Sequence, residues 1–216
     1  MIDLHTHTIF SDGVLIPAEL ARRAEVIGYK AICITDHADE ATMYHILENV
    51  RRFVDKHSHF FDLTVLAGVE LTHVPPALIG EMTQAARKAG AQVVVVHGET
   101  PVEPVAPGTN LAAIEAGVDV LAHPGMITAE EVKLAVEKGV AIEITTRRGH
   151  SLTNGHVAAM ARKHGAKLVI NNDAHAPGDL VNRELREKVG LGAGLTKEEY
   201  RQTEANGWEI VQRCMK

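Results

Sequence analysis

Residues 3–8, DLHTHT, and residues 171–175, NNDAH, decide the fold of this chain. Each closes a short apolar run with a pair of metal-binding side chains, His5 and His7 in the first and Asp173 and His175 in the second. A strand's side-chain period is two, so both members of a pair face the same way and can hold one cation. Working inward, the same ending recurs: Asp36 and His37 follow AICIT, Glu70 follows LTVLAGV, His97 follows QVVVV and His123 follows VDVLA. Taken singly, each has an ordinary reading as a hydrogen-bonded core histidine or a carboxylate capping a helix. Their recurrence points to one shared site, because a closed ring of parallel strands brings all the strand ends together.

The rest of the chain supports that ring. Continuous Val/Ile/Leu runs fall near 2–4, 31–35, 64–69, 92–96, 119–122, 140–144 and 167–171. Unbroken apolarity marks strands buried on both faces. Segments with helical spacing alternate with them near 17–28, 42–57, 77–90, 109–117, 128–138, 154–165 and 178–188. Regular βα alternation implies a parallel sheet, either open and doubly wound or closed. An open sheet holds its edge strands far from its ligand crevice, yet here the first and the last strand both carry candidate ligands. The expected fold is therefore α/β, a distorted (β/α)7 barrel with parallel strands. A C-terminal helix over 196–216 packs outside it, with Asn206-Gly207 as a possible break. The stretch 98–109, GETPVEPVAPGT, is too rich in proline and glycine for helix or strand; it is either a wall over the site or a plain connection.

At 216 residues the chain is expected to form one domain over 1–216. The formal charge of -6 leaves no basic footprint for long nucleic acid. No apolar run is long enough to span a membrane, and MIDLHTHT lacks the features of a secretory leader. Two cysteines, Cys33 and Cys214, make no disulfide framework, so a cytoplasmic location is expected. Histidine is the anomaly, with 13 copies against 4 Phe, 3 Tyr and 1 Trp. Of these, His45, His57, His59 and His164 read as surface residues.

Taken together, DLHTHT with its following SDG, then ITDH, GVE, the strand-ending His97, LAHPG and NNDAH resemble the polymerase and histidinol phosphatase (PHP) family, in its stand-alone phosphoesterase type. The resemblance runs from Ile2 to about His175. It implies a distorted barrel carrying a trinuclear centre of divalent zinc, manganese or iron. By the same resemblance His5, His7, Glu70 and Asp173 hold one cation, Glu70, His97 and His123 a second, and Asp12, His37 and His175 a third. Asp12 stands where some members have histidine, and carboxylate oxygen also suits these metals. Asp36 is expected to orient His37. Paired cations can activate a hydroxide and hold a phosphoryl group for in-line attack. His123, Asp173 and His175 are the candidate catalytic residues, the last two as proton relays.

Beyond the ligands, TTRRGHS supplies Arg147, Arg148 and His150 as candidate phosphate contacts, since loops after barrel strands line the site. His73 and Glu99 are further candidate contacts. The expected activity is hydrolysis of a small phosphorylated metabolite, a phosphomonoester, with histidinol phosphate one family-implied possibility. Rival readings are a phosphodiesterase or exonuclease acting on nucleotides, a metal-dependent amidohydrolase, and a non-catalytic metal-binding module. Neither a membrane nor nucleic acid is an expected partner, and the oligomeric state is left open.

Overall fold

Buried on both faces, the apolar runs become strands of one parallel sheet. The computed structural model describes residues 1–215. In chain order the elements are β1 (Ile2–Thr6), α1 (Pro17–Ile27), β2 (Ala31–Ile34), β3 (His37–Ala38), α2 (Met43–His57), β4 (Thr64–Leu71), α3 (Pro76–Lys88), β5 (Val93–His97) and α4 (Thr109–Glu115). They continue with β6 (Val120–Ala122), α5 (Ala129–Lys138), β7 (Ala141–Thr145), α6 (Asn154–His164), β8 (Leu168–Asn171), α7 (Arg183–Gly192) and α8 (Lys197–Cys214). The strands pair in the order β1-β2-β4-β5-β6-β7-β8, all parallel. The two-residue β3 is a spur on β4 that sets His37 directly beside Glu70.

The sheet nearly closes into the expected barrel, and the seam shows where it is distorted. Between β1 and β8 a single bridge, Thr6 to Ala174, replaces a full ladder. Side chains complete the join: Leu4 N donates to Asn171 Oδ1 at 2.9 Å and Asn172 N donates to Asp3 Oδ1 at 3.1 Å.

Two apolar layers hold the ring. Ile32, Ile34, Val94, Val96, Leu121, Ile142 and Ile144 face outward against helix residues such as Leu20, Ile46, Ile79, Val132 and Val157. Ile2, Leu4, Ala31, Cys33, Leu66, Val93, Val95, Val120 and Val169 fill the interior. Ile210 and Val211 of α8 join that inner cluster beside the first residues of several strands. The C-terminal helix thus packs outside the barrel and covers its N-terminal end, leaving the opposite mouth for the site.

Three details depart from expectation. The seventh helix begins at Arg183, because Pro177–Asp179 forms one 3-10 turn and Asn182 caps the helix by accepting from Leu185 N at 2.9 Å. Asn206-Gly207 does not break α8: Asn206 Nδ2 donates to Leu168 O at 2.8 Å, and Gly207 lies against Ile2. The β1 to β2 register shifts between Asp3 and Thr6. Strict alternation after the inward Ile2 and Leu4 would turn His5 and His7 outward, and a bulge of this kind reverses that parity.

Among the described residues no helix is long and apolar enough to cross a membrane.

Candidate metal centre

The strand ends deliver their side chains to one place. His5, His7, Glu70, His97, His123 and Asp173 are all buried at the C-terminal mouth of the barrel. Gly68 makes room for Glu70's strand: a Cβ there would sit 2.5 Å from Val93 O and 2.8 Å from Cys33 Sγ. Gly13 does the same for the loop carrying Asp12, where a Cβ would lie 2.6 Å from the His7 carbonyl. His123 and Asp173 hold positive φ values of 24° and 52°, a conformation that costs non-glycine residues energy and persists where surroundings impose it.

At the centre, His5 Nε2 lies 3.1 Å from Glu70 Oε1 and His7 Nε2 lies 3.0 Å from Asp173 Oδ1. His123 Nε2 is 3.8 Å from both Glu70 Oε1 and Asp173 Oδ2. To one side, Asp12 Oδ1 faces His175 Nε2 at 3.1 Å and His37 Nε2 at 3.4 Å. To the other side, His97, His123 and His150 bring ring nitrogens within 4.8 Å of one another.

These atoms approach without satisfying each other. His5 Nε2, both ring nitrogens of His7 and His123, Glu70 Oε1 and Asp173 Oδ1 are buried with no hydrogen-bond partner. Such orphans are costly in a protein interior. Donors that crowd together at 3–4 Å out of hydrogen-bond alignment are what a shared cation needs, and imidazole with carboxylate suits divalent transition metals. The donor set therefore fits divalent metal ions.

The charges are arranged the same way. Burial opposes ionising Glu70, yet His5 and His37 hold its pKa well below the carboxylate range. Burial likewise opposes charge on Asp173, and His5 and His7 outweigh it. Burial, assisted by His97, keeps His123 neutral, and burial lowers His7 to about 4. Burial works against protonated His37, but Glu70 and Asp12 raise it to about 9. Burial also works against protonated His5, but Glu70 and Glu143 raise it well above the imidazole range. The carboxylates and the rings of His7 and His123 are thus already in their ligand forms, while His5 and His37 must release a proton to bind a cation.

Residues outside the cluster orient it. Glu143 Oε2 accepts from His5 Nδ1 at 2.8 Å and from Asn171 Nδ2 at 2.9 Å. The sequence reading missed Glu143, although a carboxylate inside the apolar run AIEIT was the available signal. Glu103, also missed, reaches in from the 98–108 loop to 3.2 Å from His97 Nε2. That loop is a wall of the site rather than a plain connection.

Other expected contacts are corrected. Asp36 does not bond His37; it accepts from Thr8 N and Oγ1 and from Ser11 Oγ, each at 2.7 Å, and so braces the loop carrying Asp12. Thr72 Oγ1 instead meets His37 Nδ1 at 2.7 Å. Glu99 accepts from Gly108 N and Asn110 N, capping the start of α4 rather than meeting substrate. Arg147 reaches the site, its Nε 3.9 Å from Asp173 Oδ2 and its Nη1 held by Asp179 at 3.0 Å. Arg148, the next residue, is exposed and makes no polar contact among the described residues. His73 stacks near His97 at 5.6 Å on the rim.

A family model described as PHP domain matches residues 3–164. An uncharacterized protein of Methanocaldococcus jannaschii is 51% identical over 203 residues, covering 93% of each chain. A probable phosphatase of Clostridium novyi is 28% identical, over 92% of this chain and 88% of its own. Among solved structures, a chain in archaeal ribonuclease P with mature tRNA aligns with a TM-score of 0.73 at 18% identity, over 99% of this chain and 91% of that one. Lactococcus lactis histidinol phosphate phosphatase, complexed with zinc, L-histidinol and phosphate, aligns with a TM-score of 0.62 at 16% identity, over 90% and 94%. At those identities the two structures speak for the fold. The family match spans most of the strand ends that build the centre, and this chain belongs to the PHP domain family.

Proposed function

We propose that the chain is a metal-dependent phosphoesterase that removes phosphate from a small phosphorylated metabolite. The observation that carries this reading is the buried set of unpartnered imidazole and carboxylate atoms converging at the barrel mouth. The histidinol phosphate phosphatase and the probable phosphatase among its relatives support it.

In this reading His5, His7, Glu70 and Asp173 would hold one cation, and Glu70 would also serve the cation beside His123. His97 and His123 hold a second, and Asp12, His37 and His175 a third. Zinc, manganese and iron suit these donors. Bound divalent cations supply Lewis acidity, lowering the pKa of water and neutralising phosphoryl oxygens. The chain's own groups do the rest. Arg147, clamped by Asp179, presents its guanidinium beside Asp173, where it can bind a phosphoryl oxygen. Asp173 and His175 lie close together, His175 Nδ1 being 3.4 Å from Asp173 Oδ1, and they remain the candidate proton relays of the site. Burial, with His97 beside it, keeps His123 neutral, the form in which it can accept a cation.

The mouth favours small substrates over polyanions. A cavity of about 400 Å3 beside the centre is lined by Asp12, Asp39, Glu103, His37, His73 and Thr72. The formal charge of -6 supplies no basic footprint for long nucleic acid. We read the enzyme as cytoplasmic because its two cysteines, Cys33 and Cys214, are both free thiols.

The test is hydrolysis of p-nitrophenyl phosphate by protein loaded with manganese or zinc, compared with a panel of metabolite monophosphates and a single-stranded oligonucleotide. The expected result is release of phosphate from monoesters, abolished in His123→Ala. Undiminished turnover after metal stripping and chelation contradicts the mechanism; selective oligonucleotide cleavage contradicts the substrate class.

A further inference from the structure

The geometry assigns His150 and Glu103 as further ligands to the cation held by His97 and His123, so that the 98–108 loop is latched over the mouth by metal. This rests on the metal-centre reading above and adds two side chains to it.

The first observation is how the histidines are held. At four of the six histidines of the centre one ring nitrogen is anchored, while His7 and His123 have neither nitrogen anchored. His5 Nδ1 meets Glu143 at 2.8 Å, His37 Nδ1 meets Thr72 at 2.7 Å, His97 Nδ1 meets Gly98 O at 3.1 Å and His175 Nδ1 meets Asp173 O at 3.0 Å. Anchoring of this kind fixes tautomer and ring direction in metal-binding histidines. His150 follows the same pattern: its Nδ1 meets Thr100 Oγ1 at 2.8 Å. In the tautomer that donates from Nδ1, Nε2 is a free acceptor aimed at the centre. His150 is buried, as are His97 and His123.

The second observation is where that nitrogen points. The His150 ring stacks on His123 at 4.2 Å between centroids and 18° between planes. Its Nε2 lies 3.4 Å from Glu103 Oε1 and 3.9 Å from Asp173 Oδ2. The other oxygen of the same carboxylate, Glu103 Oε2, lies 3.2 Å from His97 Nε2. One carboxylate thus faces two histidines whose ring nitrogens already converge with that of His123. Imidazoles with one carboxylate form a donor set suited to zinc.

The third observation concerns the loop. Three of its residues touch the His150 turn or the centre: Thr100 through its hydroxyl, Val102 against Gly149 and Glu103 through its carboxylate. Pro101, Pro104 and Pro107 restrict the backbone between them. The loop carries no strand or helix of its own before α4. Glu99 ties the ends of the loop to the start of α4, and between those ends the loop rests on the site, where a cation on Glu103 and His150 would fasten it.

The test measures metal and loop rather than turnover. Zinc affinity is read by competition with a chromophoric chelator for the unmodified chain, Glu103→Gln, Glu103→Ala and His150→Gln. Hydrogen exchange of residues 99–107 is followed with and without zinc. Glu103 is partly exposed and its substitutions leave the barrel intact, which circular dichroism checks. The expected result is one zinc site weakened by at least about tenfold in each variant. Zinc slows loop exchange in the unmodified chain and not in Glu103→Ala. If the unmodified chain binds zinc and all variants match it in affinity and loop protection, the added ligands are wrong while the centre stands. If the unmodified chain binds no zinc, the centre itself fails, and this assignment with it.

Discussion

Glu143 shows how one side chain supports the centre without belonging to it. Its carboxylate spans His5 Nδ1, Asn171 Nδ2 and the His123 backbone N–H, linking β1, β8 and the end of β6. Replacing it frees the His5 ring. We expect Glu143→Ala to weaken metal binding by roughly 10–100-fold, measured by chelator competition, with an unchanged circular dichroism spectrum. Equal affinity would show that His5 is positioned by something else. Asp3 makes a second residue-scale case. Burial raises its pKa from 3.8 to about 6, against the lowering influence of Arg186. The folded pKa lies above the unfolded one, so the fold favours the neutral acid. Its contribution is present below pH 3.8 and is lost as pH rises through about 6. The neutral Asp3→Asn should therefore gain stability relative to the unmodified chain between pH 4 and 8, by up to about 3 kcal/mol in denaturant titrations. A difference that stays flat with pH removes the argument. Of the residues that converge, those ending apolar runs were legible in the sequence because burial demands a partner for each. Glu103 was not, since a loop carries no periodicity. Arg147 and Arg148 could not be separated, because only the local backbone decides which of two neighbours turns inward.

At the scale of elements, β4 is packed with no room for a side chain at one position. Gly68 lets β4 approach Val93 and Cys33 where no Cβ fits. Gly68→Ala should lower stability by about 1–3 kcal/mol and shift the thermal midpoint downward. A midpoint unchanged within error would mean the strands can part at no cost. The strands and most helices were readable from apolarity, proline and glycine, and capping chemistry; Thr196 and Glu199 at the start of α8 form the capping box that their spacing implies. What was not readable follows from contacts across the chain. The bulge in β1 reverses side-chain parity, and β3 is too short to leave a pattern. The start of α7 depends on Asn182 capping rather than on apolar spacing. α8 continues through Asn206-Gly207 because Asn206 finds a carbonyl on β8 and Gly207 fits against β1.

For the whole molecule, the barrel's two ends divide the work. α8 seals one end with Ile210 and Val211, and the other end collects ionisable groups that cannot satisfy one another. A cation that binds only the folded chain relieves that arrangement and stabilises the fold, by about 2.7 kcal/mol at a hundredfold excess over its dissociation constant. Thermal unfolding with and without zinc should therefore show a higher midpoint with metal, and His5→Ala should lose most of the rise. The seam between β1 and β8 lies beside the centre, and His7 with Ala174 spans it. Metal bound to His5, His7 and Asp173 would close the ring where the ladder is thinnest. The central claim is that these side chains meet on cations. It is tested most directly by an anomalous-difference map from crystals grown with zinc or manganese. The account predicts peaks among His5, His7, Glu70 and Asp173, between His97 and His123, and among Asp12, His37 and His175. A well-ordered mouth with no anomalous peak would contradict it.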